Sequence, residues 1–326
     1  MRRTWKMIRG SIAAGASWKV VRLPEPVAPA AREHYLVFAA AIKNEADFLP
    51  EWIEFHRHVG VDRFVLYDNG STDHTVRVLE PYVRSGIVQL IPWQNFSYWM
   101  NQQRAAFAHA LANFGPRTTW MGFFDVDEFV FPTHRAQLRD VLHPREHLPA
   151  LCVAGVNFGT AGHLVRPAGS VLRNFRMGVP MERQREVVAL MNTKCFVRPE
   201  RVAAVPSVHW FELRGDAARA YTEHGVPLRH RPYDQPEALS VDVIRYNHYF
   251  SKAREDFARK IAGTDARGPM WNGNAASKTR MLDAIEALAV EDHAIDHVLD
   301  GFAWLNAVES SALRPRTFDF AAARAA

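Results

Sequence analysis

From residue 35 onward, short apolar runs alternate with stretches in which apolar residues recur every three or four positions. "YLVFAAAI" at 35–42 is a continuous apolar run of strand length, the pattern of a strand covered on both faces, and it stops at Lys43, Asn44 and Glu45. Phe48, Leu49, Trp52, Ile53, His56 and Val59 then fall on one helical stripe, with Pro50 early enough to be tolerated. "RFVLY" at 63–67 predicts a second strand, ended by "DNGSTD" at 68–73. Val76, Leu79 and Val83 mark a helical face, "IVQLI" at 87–91 a strand, and Phe107, Ala110, Leu111 and Phe114 a helix running into Gly115-Pro116. "TWMGFF" reads as a strand with Asp125 where it ends. Such alternation predicts an α/β fold, a parallel sheet with helices on both faces.

Beyond residue 150 the pattern is less regular. "VNFGTAGH" at 156–163 is followed by an Arg-rich stretch, then by strands within "KCFVRPERV" and "VPSVHWF". "VDVIRYNHYF" at 241–250 predicts a further strand, and Ser251 is placed to cap a helix carrying Ala253, Phe257 and Ile261 and ending at Gly263. Residues 210–240, rich in Pro, Arg and Gly, read as a long loop.

Composition narrows the class. A chain of 326 residues with 48% hydrophobic and 11% aromatic content can bury a substantial core. Its net charge of +5 comes from 40 Lys and Arg against 35 Asp and Glu without any basic block, which argues against a nucleic-acid partner while admitting anionic ligands. Two cysteines, Cys152 and Cys195, form no C-x-x-C pair; neither a disulfide framework nor a zinc ribbon is expected, and a reducing, cytoplasmic location fits. Residues 1–33 lack the ~20 apolar positions of a membrane span, and "SIAAGA" is too short for a signal peptide. They read as a loosely held extension whose basic residues leave room for peripheral contact with the inner face of a membrane.

In a parallel sheet, ligands gather at the carboxyl ends of the strands. Asn44–Glu45, Asp68–Asn69 and Asp125–Asp127 each follow a strand and so should share one rim. The acids of "FFDVDEFVF" at 123–131 stand in core-type surroundings, where an uncompensated carboxylate is costly. Asp125 and Asp127, one residue apart at a strand end, have the spacing to share Mg2+ or Mn2+ with a diphosphate; a solvated turn is the plainer reading. In "DNGSTD", an Asx turn and a cap at Asp73 account for Ser71 and Asp73 but leave Asp68 available to ribose hydroxyls. His248 has either a place in a metal shell or an ordinary hydrogen bond among aromatics. Arg104, Lys260 and Arg267 are candidate phosphate clamps or plain surface cations.

Taken together, "KNEADFLPEWIEFHRHVGVDRFVLYDNGSTDHT", "FFDVDEFVF", "NFGTAGH", "KCFVRPERV" ahead of "VHWF", and "YNHYFSKAREDFARKIAG" resemble glycosyltransferase family 92 and its bacterial relatives, themselves similar to family 2. The resemblance runs from about residue 35 to 268. It implies a GT-A, Rossmann-like mixed sheet flanked by helices in a domain at 34–268, with a nucleotide-sugar half at 34–131, an acceptor half at 132–268, and a helical C-terminal extension at 269–326. It implies that Asn44, Glu45, Asp68, Asn69 and Ser71 surround a UDP- or GDP-sugar, with Arg104, Asp125 and Lys260 toward the donor. Asp125 and Asp127 become the metal-binding D-x-D, with His248 the late histidine that reaches metal and diphosphate, and Mn2+ or Mg2+ the cofactor. The acceptor would be a glycan or a lipid-linked hydroxyl, as in cell-surface polysaccharide synthesis. For an inverting transfer the candidate bases are His163, Glu182 and Glu212, with His163 first. Two other classes stay in view: a sugar-nucleotide or glycan-binding protein without turnover, and a Mg2+-dependent phosphatase of the haloacid dehalogenase type, in which the first Asp of D-x-D is a nucleophile.

Overall fold

The computed structural model describes residues 20–25, 31–94, 102–215, 218–229, 231–262 and 275–305. Its centre is an eight-stranded sheet: β1 (His34–Ile42), β2 (Arg63–Asp68), β3 (Val88–Pro92), β4 (Thr118–Gly122), β5 (Glu128–Pro132), β6 (Ala150–Asn157), β7 (Thr193–Val197) and β8 (Ile244–His248). The spatial order is β3-β2-β1-β4-β7-β6-β8-β5. Strands β1 to β4 are mutually parallel, as are β6 and β8, while β7 is antiparallel to both its neighbours and β5 is antiparallel to β8. This is the mixed, helix-flanked α/β sheet of the GT-A arrangement.

Alternation along β1 divides the core into two layers. Leu36, Phe38, Ala40 and Ile42 face helices α1 (Leu49–His58) and α2 (Thr75–Arg84), packing with Trp52, Phe55 and Leu79. Val37 and Ala39 face α3 (Gln102–Asn113), beside Ala106, Phe107 and Ala110. The sheet curls. Trp52 of α1 packs on Phe38 of β1, yet its indole N–H donates to the carbonyl of Glu128 at the far edge (2.9 Å), and His56 Nε2 accepts the Val130 N–H (3.1 Å). With Nδ1 of His56 on the Trp52 carbonyl at 2.8 Å, both ring nitrogens are engaged in the neutral form.

Several expectations are corrected. The buried face of α2 is Thr75, Leu79 and Tyr82; Val76 and Val83 are exposed, because the larger tyrosine takes the flank beside Leu79. Strand β4 stops at Gly122, so Phe123–Asp127 form a crossing over the rim, and "EFVFP" is a strand of its own at the opposite sheet edge. The eight wholly buried residues of β6, an unbroken apolar run like that of β1 up to Asn157, were not read as a strand. Ser251 does not cap α4 (Arg254–Ile261): Ala253 stands at the cap, with its N–H given to Asp256 (3.3 Å). Gly263 lies outside the described residues. The strand expected over "VPSVHWF" at 205–211 is not formed there; the strand is Val202–Val205, which joins Glu212–Leu213 and Val21–Arg22 in a small separate sheet. Part of the loosely held N-terminal extension is thus anchored. The C-terminal extension is equally integrated: α5 (Ala275–Leu288) packs Leu282 and Ile285 against Phe250 and Phe257, and Ile295, Val298, Leu299, Phe302 and Leu305 enter the main core.

Cys152 and Cys195, treated separately in the sequence, are cross-strand partners in β6 and β7 and are both free thiols. The Cys152 N–H is given to Tyr221 on the other side, so theirs is a non-hydrogen-bonded pair, the closer of the two antiparallel spacings. No helix among the described residues is long and apolar enough to cross a membrane.

Candidate active site

Strand directions decide what meets at the rim. Strands β1, β2, β4, β6 and β8 end there, whereas the antiparallel β5 and β7 begin there, so Glu128 and Lys194 join the residues that follow Ile42, Asp68 and Gly122. His248 has Glu128 and Asn157 as its two cross-strand neighbours. The backbone of Asp127 is tied to the exit of β8 by the Tyr249 N–H (2.8 Å).

Lys194 is fully buried and lies 2.9 Å from Asp125 Oδ2 and 3.2 Å from Glu128 Oε2. Burial alone would lower its pKa, but the two carboxylates outweigh that and hold it above the ordinary lysine value. Asp125 Oδ1 accepts from Gln103 Nε2 of α3 (2.6 Å), and Glu128 Oε2 also accepts the Asp125 N–H (2.9 Å). Glu128 is pushed up to about 8, by burial first and then by the Asp125 and Asp127 charges against the pull of Lys194. Lys194 therefore serves chiefly as the counter-charge of Asp125.

Asp127 has a different set of partners. Its Oδ2 receives Lys260 Nζ (2.6 Å), which also donates to the Phe250 carbonyl (2.9 Å). Burial would raise its pKa, yet Lys260, His248 and Lys252 hold it well below the usual carboxylate range. Oδ1 of Asp127 points to His248 Nε2 at 3.8 Å. The amide of Asn157 fixes which nitrogen of that ring bears the proton. Asn157 Nδ2 donates to Gln184 Oε1 and the Leu190 carbonyl, each at 2.7 Å, leaving Oδ1 as acceptor for His248 Nδ1 at 3.1 Å. Nδ1 therefore carries the hydrogen and Nε2 a lone pair. Burial keeps the imidazole neutral, lowering its pKa to about 3. Two lone-pair atoms, a carboxylate oxygen and an imidazole nitrogen, converge with an outer hydrogen bond orienting the ring, a donor set suited to Mn2+ or Mg2+.

The predicted three-ligand set is not assembled. Among the described residues, Asp125, Asp127 and His248 do not bring three ligand atoms within 4.8 Å of one another; the group that does is Glu223, His224 and Asp242. There, Glu223 already accepts from Ser240 Oγ and from the Asp242 and Ile244 N–H groups, so its oxygens brace a loop.

The neighbouring loops are held by the side chains expected at the nucleotide. Asn44, in the left-handed region at φ 55°, accepts from the Thr72 N–H at 2.7 Å. Ser71 Oγ accepts the Asn44 N–H (2.9 Å) and donates to Asp68 Oδ1 (2.6 Å). Asn44 and Ser71 thus build the loop, and Asn69 N–H pins it to the end of β1 (2.9 Å). Asp73 takes the Thr75 N–H (2.9 Å) in an Asx turn, while the residue at the cap of α2 is His74, one position later than expected. The Glu45 N–H goes to Thr75 Oγ1 (2.9 Å), and its partly buried carboxyl is pushed up to about 7 by desolvation, against the pull of Lys252.

Other candidates fall outside this cluster. Arg104 donates to the Pro206 carbonyl (3.0 Å), which ties α3 to the loop there. Glu212 belongs to the small sheet and pairs with Arg22 (3.5 Å). Glu182 is exposed on the short helix Met181–Glu186, two residues from Gln184 and so on the opposite helical face from the contact with Asn157. His163 lies past the end of β6, in a loop whose carbonyls at His163 and Leu164 accept the first N–H groups of α4; its Nε2 meets the Asn174 carbonyl at 3.3 Å and its ring packs on Phe175. Arg267 lies outside the described residues. Sequence reasoning missed Lys194, Gln103, Asn157 and Gln184. Lys194 had a legible signal, a lysine inside the apolar run "TKCFV" that needs acids to be buried; the three amides had none.

A sequence model of glycosyltransferase family 92 matches residues 35–261. A family 92 protein of Oryza sativa subsp. japonica is 30% identical over 240 residues, 71% of this chain and 36% of the relative. One of Ricinus communis is 28% identical over 232 residues, 68% of this chain and 40% of its own. The chain therefore spans well under half the length of these relatives. Galactan beta-1,4-galactosyltransferase GALS2 of Arabidopsis thaliana is 30% identical over 98 residues, 28% of this chain and 19% of the relative. Among solved structures, S. aureus TarS in complex with UDP aligns over 77% of this chain and 70% of its own at 14% identity and a TM-score of 0.35, too distant for residue correspondences. With the family match spanning most of the strands and loops that build the rim, the chain belongs to glycosyltransferase family 92.

Proposed function

We propose that the rim is the donor site of a metal-dependent glycosyltransferase that moves a sugar from a UDP- or GDP-sugar to a hydroxyl of a glycan or lipid-linked acceptor, with inversion. One observation carries the reading: the Asp127 carboxylate and the His248 lone pair face each other at the strand ends, 3.8 Å apart, with Asn157 orienting the ring. Asp127 and His248 would hold Mn2+ or Mg2+. Bound there, the ion would neutralise charge on the diphosphate as the sugar departs.

The remaining work falls to the chain's own side chains. Lys260, already 2.6 Å from Asp127, supplies a second cation for the leaving group. Asp68, braced by Ser71, presents its carboxylate beside the loop expected to take the ribose. Lys194 and Gln103 hold Asp125 in a fixed orientation at the crossing. His163 is the base candidate that stays on the rim side, and with Nε2 donating to the Asn174 carbonyl its basic atom would be Nδ1. The likeness to GALS2 favours a glycan acceptor. A phosphatase nucleophile at Asp125 is disfavoured, because both its carboxylate oxygens are engaged by donors.

A panel of UDP-, GDP- and TDP-sugars with and without Mn2+ tests the reading by release of the nucleoside diphosphate. Metal-dependent release from a UDP- or GDP-sugar is expected. Binding without release would indicate a non-catalytic binder, and phosphate release from a simple monoester would indicate a phosphatase.

A further inference from the structure

Lys252 is a buried cation with no counter-ion in contact among the described residues. Four residues past the end of β8, it is 8% exposed, and among the described residues its ammonium makes no hydrogen bond or ion pair. Its one close partner is the ring of Phe48, 4.1 Å below the nitrogen. Lys194 and Lys260, by contrast, each touch a carboxylate. The backbone adds a second signal. Lys252 adopts φ 50°, the left-handed region where glycine or asparagine would serve without strain, so a side chain is carried where backbone geometry alone disfavours one. Burial lowers its pKa, opposed by the charges of Asp127 and Glu45, neither of which it contacts. Phe48 is itself held: the guanidinium of Arg166 lies 4.4 Å from the same ring and is anchored to Asp47 and Asp256.

We propose that Lys252 is a positioned anion-binding residue of the donor site, whose ammonium takes the diphosphate oxygens of the nucleotide sugar. The proposal rests on the transferase reading above. A compact ammonium with three donors, fixed between an aromatic ring and the acids of the rim, suits a phosphate group that arrives with its own negative charge. A ligand anion there supplies the counter-charge that the protein withholds. Glu45 and Asp127 oppose the effect of burial on the lysine without occupying its hydrogen bonds.

The test compares UDP with UMP, and GDP with GMP, by titration calorimetry on the full chain with Mg2+. Lys252→Met keeps the stem over Phe48 and removes the charge; Lys252→Arg restores a cation. The methionine variant should bind the diphosphate about tenfold more weakly, the range of one charge-assisted hydrogen bond, with the monophosphate unchanged. Arginine should recover part of the loss. The melting temperature of Lys252→Met should hold or rise, since an unpaired buried charge is removed. Equal diphosphate affinity in wild type and Lys252→Met would overturn the proposal and leave the transferase reading intact. A matched fall in melting temperature and in both affinities would show a packing role and overturn it as well. A wild-type chain that binds neither diphosphate would sink both readings.

Discussion

Replacing Lys194 with methionine should destabilise the protein through Asp125 more than through Glu128. Lys194 is fully buried with two carboxylates at 2.9 and 3.2 Å, and removing one partner of a buried ion pair costs about 3–5 kcal/mol. The two acids do not respond alike. Glu128, raised to about 8, is already mostly protonated at pH 7 and so loses little with the lysine. Asp125 loses its counter-charge but retains Gln103 and some access to water, its side chain being 35% exposed. The penalty should therefore fall at the lower end, about 3 kcal/mol. Adding Asp125→Asn should recover most of it, whereas adding Glu128→Gln should recover little. Urea denaturation at pH 7 of the wild type, the single variants and both doubles gives the coupling energies directly. A loss below about 1 kcal/mol for Lys194→Met, or a larger recovery with Glu128→Gln than with Asp125→Asn, would refute the assignment of Lys194 to Asp125.

Two further outcomes follow from burial. His56 and His248, lowered to about 3, and His109, lowered to about 4, are neutral when folded, so each contributes stability that is present above its unfolded value near 6.5 and lost as pH falls, about 1.4 kcal/mol per unit. Glu45 and Glu128, raised to about 7 and 8, act with the opposite sign down to their ordinary value of 4.5. His58, also lowered by burial, acts with these three, so four histidines against two acids leave a net loss of stability as pH falls from 6 to 4.5 in the metal-free protein, steepening below, and urea midpoints that rose as pH fell across that interval would contradict this balance. Gly155→Ala would set a methyl 2.3 Å from the ring of Tyr246, its partner across β6 and β8, inside a packed core. A loss of about 1–3 kcal/mol is expected by thermal or urea unfolding; full wild-type stability would mean that the ring has room to move.

Periodicity carried the first half of the chain well. Leu49, Trp52 and Ile53 repeat at helical spacing because one face of α1 packs on β1, and "YLVFAAAI" is unbroken because both its faces are covered. Where pairing is non-local, pattern fails. Nothing local in the eight residues of β6 shows that they pair with β7 and β8, and "FFDVDEFVF" is one stretch in sequence but a crossing over the rim followed by a strand at the sheet edge. The rim acids were legible because charge amid aromatics demands compensation, while their partners were not, since Lys194 lies 69 residues from Asp125 and Lys260 133 from Asp127. The expected metal set of Asp125, Asp127 and His248 included a D-x-D spacing that cannot reveal the contacts of Asp125 with Lys194 and Gln103. Glu182 and Glu212 were chosen as acids in polar segments, and local polarity does not distinguish a solvated carboxylate from a catalytic one.

Electron paramagnetic resonance of Mn2+ titrated into the chain with UDP or GDP present bears most directly on the pairing of Asp127 with His248. The account predicts tight, nucleotide-dependent Mn2+ binding in the wild type that is lost in Asp127→Asn and strongly weakened in His248→Ala. Undiminished Mn2+ binding in Asp127→Asn would contradict it.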